Sequence, residues 1–124
     1  MEIKNLNKIL IVEDDKRMQE FLRLNLQNYA VVLQAFTRKE ALNKFNSEPR
    51  ITHIMMDGCL EKGNGPTEPD TIEITKEIRK NFKGIMLGIS FTESYNEALK
   101  EAGCDHVISK EDCLGLILEL LNYE

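Results

Sequence analysis

The feature that most constrains this fold is a regular alternation between short apolar runs and amphipathic segments. Five runs of four to seven residues are rich in Ile, Leu, Val and Met, and a segment with helical spacing of apolar residues follows each one. Runs of this length that end in turn residues are typical of strands buried in a parallel sheet. The runs are Ile9–Val12, Ala30–Phe36, Ile51–Asp57, Ile85–Ile89 and His106–Ser109.

The alternation also predicts how the strands are connected. Strands that alternate with helices form right-handed crossovers, which produce a parallel sheet covered by helices on both faces. Doubly wound sheets of five strands commonly have the strand order 2-1-3-4-5. We therefore expect residues 1–124 to form a single α/β domain with five strands in this order and five helices. The predicted helices are Lys16–Leu26, a segment from Thr37 to Pro49, one from Asp70 to Gly84, one from Ser94 to Gly103, and Asp112–Leu121.

Local patterns predict details of three helices. Thr37 with Glu40, and Asp70 with Glu73, have the spacing of a capping box, in which each side chain accepts a hydrogen bond from the other residue's backbone amide. In the first helix, Phe21 recurs at helical spacing with other apolar residues, so we expect it on the core face. The residues that share this face are Met18, Phe21, Leu22 and Leu26.

Polar residues with reactive side chains follow four of the predicted strands. Glu13 and Asp14 follow the first strand, Asp57 closes the third, Ser90 follows the fourth and Lys110 follows the fifth. In the order 2-1-3-4-5, the chain changes direction between strands one and three, and ligands of such sheets bind at the carboxyl ends of these strands. The carboxylates of Glu13, Asp14 and Asp57 are therefore expected to lie side by side.

Carboxylates in this arrangement predict a metal site for phosphoryl chemistry. Two carboxylates about 4 Å apart repel each other by roughly 4 kcal/mol at an effective dielectric constant of 20. Mg²⁺ would relieve this repulsion, because it prefers oxygen ligands and retains open positions for a phosphate. Asp57 would act as the nucleophile, and Lys110 and Ser90 would contact the transferred group. Individually, each residue also has an ordinary structural explanation as a helix cap, a solvated charge or a strand-end hydroxyl; the prediction depends on their combination.

Composition and charge exclude several other classes of protein. The net charge is −5, so an electrostatic surface for nucleic acid is not expected. No apolar run approaches the roughly 20 residues that span a bilayer, and the first residues lack the apolar core of a signal peptide. The three cysteines show no Cys-x-x-Cys spacing, which favours reduced thiols in the cytoplasm.

The strand-end motifs, in their order along the chain, resemble those of the receiver domain of bacterial two-component response regulators. The likeness extends from about Lys8 to Leu121. The motifs that carry it are Ile-Leu-Ile-Val-Glu13-Asp14-Asp15, Met-Met-Asp57, Gly-Ile-Ser90 and Ala-Gly103-Cys-Asp-His-Val-Ile-Ser-Lys110.

This resemblance implies a flavodoxin-like fold and a signalling switch that catalyses only its own phosphorylation and dephosphorylation. The phosphoryl donor would be the phosphohistidine of a sensor histidine kinase or of a histidine phosphotransfer protein, and the phosphorylated form would act on a downstream protein. The implied site consists of the phosphoacceptor Asp57, the Mg²⁺ ligands Asp14, Asp57 and the backbone carbonyl of Cys59, Glu13 acting through water, and the phosphoryl contacts Ser90 and Lys110. We expect a cytoplasmic monomer or weak dimer that binds neither nucleic acid nor membrane.

Four positions depart from the pattern of the family. Gly58 stands where a bulky apolar residue is usual, Phe91 where a small residue is usual, Val107 where an aromatic is common, and Glu111 where proline is usual. These departures support an alternative interpretation, a degenerate receiver that acts as an interaction module without being phosphorylated. They also suggest that the fourth helix and its flanking loops signal differently from those of the family.

Two further alternatives follow from the fold class. A flavin-binding protein of flavodoxin type is disfavoured because the loop after the first strand is acidic and would repel a flavin phosphate. A metal-dependent phosphatase that acts on other molecules is disfavoured because the sequence contains no evident lid or substrate-specificity segment.

Overall fold

Strands and helices alternate along the whole of the described chain. The structure is a computed structural model, and it describes residues 6–60 and 70–122. The strands are β1 (Lys8–Val12), β2 (Val31–Ala35), β3 (His53–Asp57), β4 (Ile85–Ser90) and β5 (His106–Ser109). The helices are α1 (Lys16–Leu26), α2 (Arg38–Ser47), α3 (Ile72–Arg79), α4 (Glu93–Ala102) and α5 (Cys113–Asn122). None of these helices is both long and apolar enough to cross a membrane.

The five strands form one parallel sheet in the order β2-β1-β3-β4-β5, which confirms the predicted topology. The register aligns Val12 of β1 with Met56 of β3, so the residues that follow these two strands lie at the same edge. Ser90 at the end of β4 is level with Ser109 of β5, which places Lys110 immediately beyond that edge. The topology therefore gathers the ends of four strands on one side of the domain.

Helices cover both faces of the sheet, and a separate apolar cluster fills each layer. Alternate residues of β1 and β3 point to opposite faces, so Leu10 and Ile54 pack under α2, α3 and α4 while Ile11 and Met55 pack under α1 and α5. All four side chains are fully buried. Because complete burial of such a side chain contributes about 1.5–3 kcal/mol, these clusters supply most of the driving force that holds the helices to the sheet.

Both predicted capping boxes differ from the structure. Thr37 Oγ1 accepts a hydrogen bond from the Glu40 amide at 3.1 Å as predicted, but the Glu40 carboxylate binds the amide of Phe36 rather than that of Thr37. The Asp70 capping box is wrong, because the Asp70 carboxylate instead accepts from the amide of Leu60 at 2.8 Å. Helix α3 consequently begins at Ile72, after an N-cap residue whose side chain makes no capping hydrogen bond.

Helix α4 begins at Glu93, one residue before the predicted start at Ser94. It ends at Ala102 and Gly103 caps it, as predicted; this glycine has a φ of +134°, a conformation that side-chain-bearing residues rarely adopt. A Cβ atom at this position would also lie 2.8 Å from Cγ of Arg79. Glycine is therefore required here for two independent reasons.

The prediction for the buried face of α1 is wrong at one position. Phe21 is 47% exposed, whereas Gln19, a polar residue, is 1% exposed. The buried stripe runs through Gln19, Leu22 and Leu26, which recur at steps of three and four. The side chain of Gln19 donates to three backbone carbonyls inside the protein. These hydrogen bonds explain why the face with Gln19 is buried in place of the one that includes Phe21.

Candidate functional site

An acidic cluster lies at the carboxyl ends of β1 and β3. Oxygen atoms of the Glu13, Asp14 and Asp57 carboxylates all lie within 4.8 Å of one another. Glu13 and Asp57 are 0% and 1% exposed, and Asp14 is at the surface. The structure thus brings together the three acids that the topology was predicted to bring together.

The ammonium group of Lys110 bridges the two buried acids. Its Nζ lies 2.9 Å from Oε1 of Glu13 and 3.1 Å from Oδ2 of Asp57, and only 13% of the side chain is exposed. The pKa of Lys110 is raised: although burial acts in the opposite direction, the negative charges of Asp57 and Glu13 outweigh it. Among the described residues, one ammonium group therefore contacts two of the three neighbouring carboxylates, and this part of the cluster retains an excess of negative charge.

Asp57 is held from three sides. Its Oδ1 accepts a hydrogen bond from the amide of Cys59 at 3.2 Å, its Oδ2 contacts Lys110, and its backbone carbonyl accepts from the hydroxyl of Thr71 at 2.8 Å. Burial, followed by repulsion from Glu13, raises the pKa of Asp57 to about 8, despite the opposing effect of Lys110. The carboxylate is therefore well oriented but poorly neutralised.

Glu13 and Asp14, like Asp57, have too little positive charge nearby to balance their carboxylates. Oε2 of Glu13 accepts a hydrogen bond from the amide of Asp15 at 3.0 Å, whereas the buried Oε1 has the ion-pair contact with Lys110 but no hydrogen bond of good geometry within the described residues. Burial, together with the hydrogen bond to Glu13, raises the pKa of Asp14. An additional cation at this position would favour the ionised forms of Asp14 and Asp57, whose pKa values are raised.

The turn after β4 forms the rim of the site. Ser90 is 4% exposed, and its hydroxyl accepts the amide of Thr92 at 3.1 Å. The next residue, Phe91, is 72% exposed, and the centre of its ring lies 5.4 Å from the Nζ of Lys110. The aromatic ring thus lies over the ammonium group, on the side of Lys110 that faces away from the core.

The donors of the acidic cluster fit a hard divalent cation. All of them are oxygen atoms, two of the three acids are buried, and within the described part of the chain the Lys110 ammonium alone cannot balance their charge. Mg²⁺ prefers such donors and binds through one or two carboxylates together with water and phosphate oxygens. Cys59 borders this site, since its amide binds Asp57.

The cysteines show no redox pairing. None of Cys59, Cys104 and Cys113 forms a disulfide bond with another. Burial raises the pKa of Cys104 to about 12 and that of Cys113 to about 11. Since the thiolate is the reactive form, neither buried cysteine is a nucleophile at neutral pH.

Sequence analysis missed two residues that support the site. Thr71 binds the carbonyl of Asp57, and Gln19 binds carbonyls at the end of β1. Gln19 had a recognisable signal, because it precedes Leu22 and Leu26 by three and seven residues and so occupies a core position of an amphipathic helix. Thr71 had none, because its partner lies 14 residues away in the sequence.

Solved structures share this fold. A two-component response regulator from Clostridium difficile matches this chain with a TM-score of 0.75 and 19% identity, over 93% of this chain and 94% of that one. The receiver domain of a Francisella response regulator matches with a TM-score of 0.75 and 22% identity, over 94% and 93% of the two chains. No protein-family model matches the sequence.

A third similar structure contains a phosphorylated aspartic acid. A response regulator from Burkholderia pseudomallei, whose crystal structure contains a phosphorylated aspartic acid, a calcium ion and citrate, matches with a TM-score of 0.76 and 20% identity, over 94% of this chain and 67% of that one. Most of the similar structures are response-regulator receiver domains. The chain therefore has the receiver fold, and the resemblance predicted from its motifs is confirmed at the level of the fold.

Proposed function

We propose that this chain is a response-regulator receiver domain in which Asp57 is the phosphoacceptor. One observation carries the proposal: the ammonium of Lys110 contacts the buried carboxylate of Asp57 at 3.1 Å, beside two further acids. A buried nucleophile with a fixed cation on one side and unneutralised oxygen donors on the other is the arrangement that phosphoryl transfer requires. Residues 1–124 form the receiver domain in this proposal.

The reaction starts from a phosphohistidine of a sensor kinase or phosphotransfer protein. A carboxylate oxygen of Asp57 attacks phosphorus, the phosphorus–nitrogen bond breaks, and its electron pair goes to the imidazole nitrogen of the donor. The other ring nitrogen of the donor carries a proton, so the donor leaves as neutral imidazole. The product is an acyl phosphate on Asp57. Attack of water on phosphorus later releases inorganic phosphate and restores the carboxylate, so the protein acts as its own phosphatase.

Each site residue has a specific role in this reaction. Asp14, Asp57 and the backbone carbonyl of Cys59 would hold Mg²⁺, with Glu13 acting through water. The metal, when bound, supplies positive charge to the transferred phosphoryl oxygens. Lys110 would supply a second positive charge to the phosphoryl group. The Ser90 hydroxyl would rotate toward the site and donate a hydrogen bond to a phosphoryl oxygen. These contacts neutralise charge that grows as the donor bond breaks.

Phosphorylation is proposed to act through partner binding rather than through turnover of an external substrate. The partners are a histidine kinase or phosphotransfer protein and a downstream protein in the cytoplasm, and the chain is proposed to be a monomer or weak dimer. Helix α4 is one candidate for the element that responds, because Tyr95 and Leu99 pack directly on Gly58, the residue after the phosphoacceptor.

A degenerate receiver remains the second candidate, and two observations favour it. The ring of Phe91 already occupies the outer side of the Lys110 ammonium. The backbone at Gly58 is packed so closely that an added Cβ would lie 3.1 Å from Tyr95 Cδ2. In this alternative the fold and its surface are retained for protein binding, and Asp57 carries no phosphate.

Mass spectrometry of the intact protein distinguishes the two candidates. The chain is incubated with acetyl phosphate, with and without Mg²⁺, and we expect the mass of one added phosphoryl group only when the metal is present. Asp57→Asn should abolish the added mass, whereas the control Glu101→Gln, which removes an exposed acid on α4, should leave it unchanged. Absence of the added mass in the wild-type protein would favour the degenerate receiver.

A further inference from the structure

The buried carboxamide of Gln19 joins three elements beside the acidic cluster. Its Nε2 lies 3.0 Å from each of three backbone carbonyl oxygens, those of Ile11, Glu13 and Ala35. These carbonyls belong to β1, to the residue after β1 and to the end of β2, while Gln19 itself is in the second turn of α1. A single side chain therefore ties the helix to the ends of both strands.

The orientation of this carboxamide follows from its surroundings. Three carbonyl oxygens face one atom, so that atom must be the NH₂ group, whose two hydrogens are shared among them. The other end, Oε1, accepts a hydrogen bond from Nε2 of Gln34 at 2.9 Å. Gln34 Nε2 also lies 3.1 Å from the backbone carbonyl of Gln19. Both ends of the carboxamide are therefore fixed, and Gln19 is only 1% exposed.

These contacts fix the turn that carries the acids. The Glu13 backbone is bound twice, because its carbonyl accepts from Gln19 and its amide donates to the Ala35 carbonyl at 3.0 Å. The next anchor is the N-cap of α1, where the carboxylate of Asp15 accepts the amides of Arg17 and Met18. Asp14 lies between these anchors, and the amide of Asp15 binds the Glu13 carboxylate at 3.0 Å.

We propose that Gln19 is a positioning residue that sets the geometry of the Glu13–Asp15 turn and thereby the affinity of the acidic cluster for a divalent cation. The inference rests on the proposed function for the identity of that cation. It also extends that function, because Gln19 touches neither the metal nor the phosphoryl group. Replacement of a residue that orients metal ligands from outside the coordination shell commonly weakens metal binding by 10- to 100-fold.

The alternative is that Gln19 contributes only to overall stability, and a matched variant separates the two roles. Gln19→Met keeps an unbranched side chain of similar length but removes the donor. Thr52→Val is the control, because the Thr52 hydroxyl makes comparable hydrogen bonds to the backbone of Lys8, at the opposite end of β1. Both variants lose hydrogen bonds to the same strand, which are buried at Gln19 and partly buried at Thr52, but only Gln19→Met loses those beside the acids.

Two measurements test the proposal on the full chain. The first is the dissociation constant for Mg²⁺ by calorimetry, at a temperature where urea titrations show each variant to be folded. We expect about a tenfold or greater increase for Gln19→Met and less than about a twofold change for Thr52→Val. The second is amide hydrogen exchange of Asp15 without metal, which reports whether the Glu13 carboxylate still accepts that amide. We expect faster exchange at Asp15 in Gln19→Met only.

Each outcome has one meaning. Equal Mg²⁺ affinities for Gln19→Met and the wild-type protein would overturn the inference while leaving the proposed function intact. If the wild-type protein binds no Mg²⁺, the proposed function fails, and the inference is then decided by Asp15 alone: retained protection in Gln19→Met overturns it, and lost protection supports it. If Gln19→Met does not fold, Gln34→Met replaces it, because it leaves the three carbonyl contacts of Gln19 Nε2 in place and removes only the donor to Oε1 and to the Gln19 backbone carbonyl. We then expect an increase smaller than tenfold, and an unchanged dissociation constant would overturn the inference.

Discussion

The Lys110 ammonium lies 3.1 Å from the carboxylate of Asp57 and 2.9 Å from that of Glu13, although the three residues are far apart in the sequence. The contact requires β5 and β3 to end at the same edge of the sheet, with β1 beside β3, which the observed strand order provides. Lys110 therefore has two functions. It neutralises buried acids in the resting protein, and in the proposed reaction it is already in place to contact the phosphoryl group.

Replacement of Lys110 by Met is expected to destabilise the protein by about 3 kcal/mol at pH 8. The reason is that removal of one partner leaves buried carboxylates without compensation. At pH 5 the loss should be smaller, because Asp57 is then protonated in the wild-type protein too, so the variant loses no ion pair with it. Urea unfolding at the two pH values measures the effect, and Lys80→Met, which removes a lysine that is 71% exposed, is the control. An equal loss at both pH values would contradict this explanation.

The stability of the metal-free protein is expected to fall as the pH rises from about 4 to about 8, because the pKa of Asp57 is raised from 3.8 to about 8 on folding. A group whose pKa is raised in the folded state contributes stability below its unfolded pKa, and this contribution is lost as the pH passes through the folded value. Asp57→Asn should remove this dependence and stabilise the metal-free protein by at least about 1 kcal/mol at pH 8. Urea titrations across the pH range provide the measurement.

Mg²⁺ should act in the opposite direction, because it competes with the proton for Asp57. Its effect on the melting temperature is expected to be larger at pH 8 than at pH 5, and to be absent in Asp57→Asn. Glu101→Gln, an exposed acid on α4, should retain the full effect. A melting temperature that rises equally with Mg²⁺ in both variants would show that the metal binds elsewhere.

The sequence predicted the parts of the fold that depend on local periodicity. The bounds of α1, Lys16–Leu26, and of β5, His106–Ser109, agree with the structure, and the strand order follows from the alternation of elements. Convergence of Glu13, Asp14 and Asp57 was also predictable, since it depends only on where strands end in that order. These features can be predicted without knowing which side chains contact one another.

Contacts between side chains and distant backbone atoms could not be predicted. Asp70 occupies a position typical of a helix cap in the sequence. In the structure its carboxylate instead accepts a hydrogen bond from the amide of Leu60, ten residues away. Gln19 has a polar side chain that is compatible with an exposed position, and its burial depends on carbonyls of β1 and β2 that only the folded sheet brings together. In both cases a tertiary partner outweighs the local preference.

Replacement of Phe91 by Ala is expected to shorten the lifetime of the phosphorylated form about threefold. The ring lies over the Lys110 ammonium, and a cation–π contact at an exposed site contributes about 0.5–1 kcal/mol. Without the ring, water reaches the phosphoryl group more easily and Lys110 is held less firmly. The decay of the phosphorylated mass after removal of acetyl phosphate gives the rate. Phe21→Ala, at another exposed phenylalanine, should decay like the wild type, and an unchanged or longer lifetime in Phe91→Ala would contradict the shielding role.

Two glycine-to-alanine changes are expected to alter stability in opposite directions. A Cβ at Gly88 in β4 would lie 3.0–3.1 Å from Leu99 and Val107, so Gly88→Ala should force α4 away from the sheet and cost about 1–3 kcal/mol. A Cβ at Gly115 in α5 would meet nothing within 4 Å, so Gly115→Ala should stabilise the protein by about 1 kcal/mol through helix propensity. Urea unfolding measures both. Since the two variants make the same chemical change, a loss of stability in both would show that the close approach of α4 at Gly88 is not what distinguishes them.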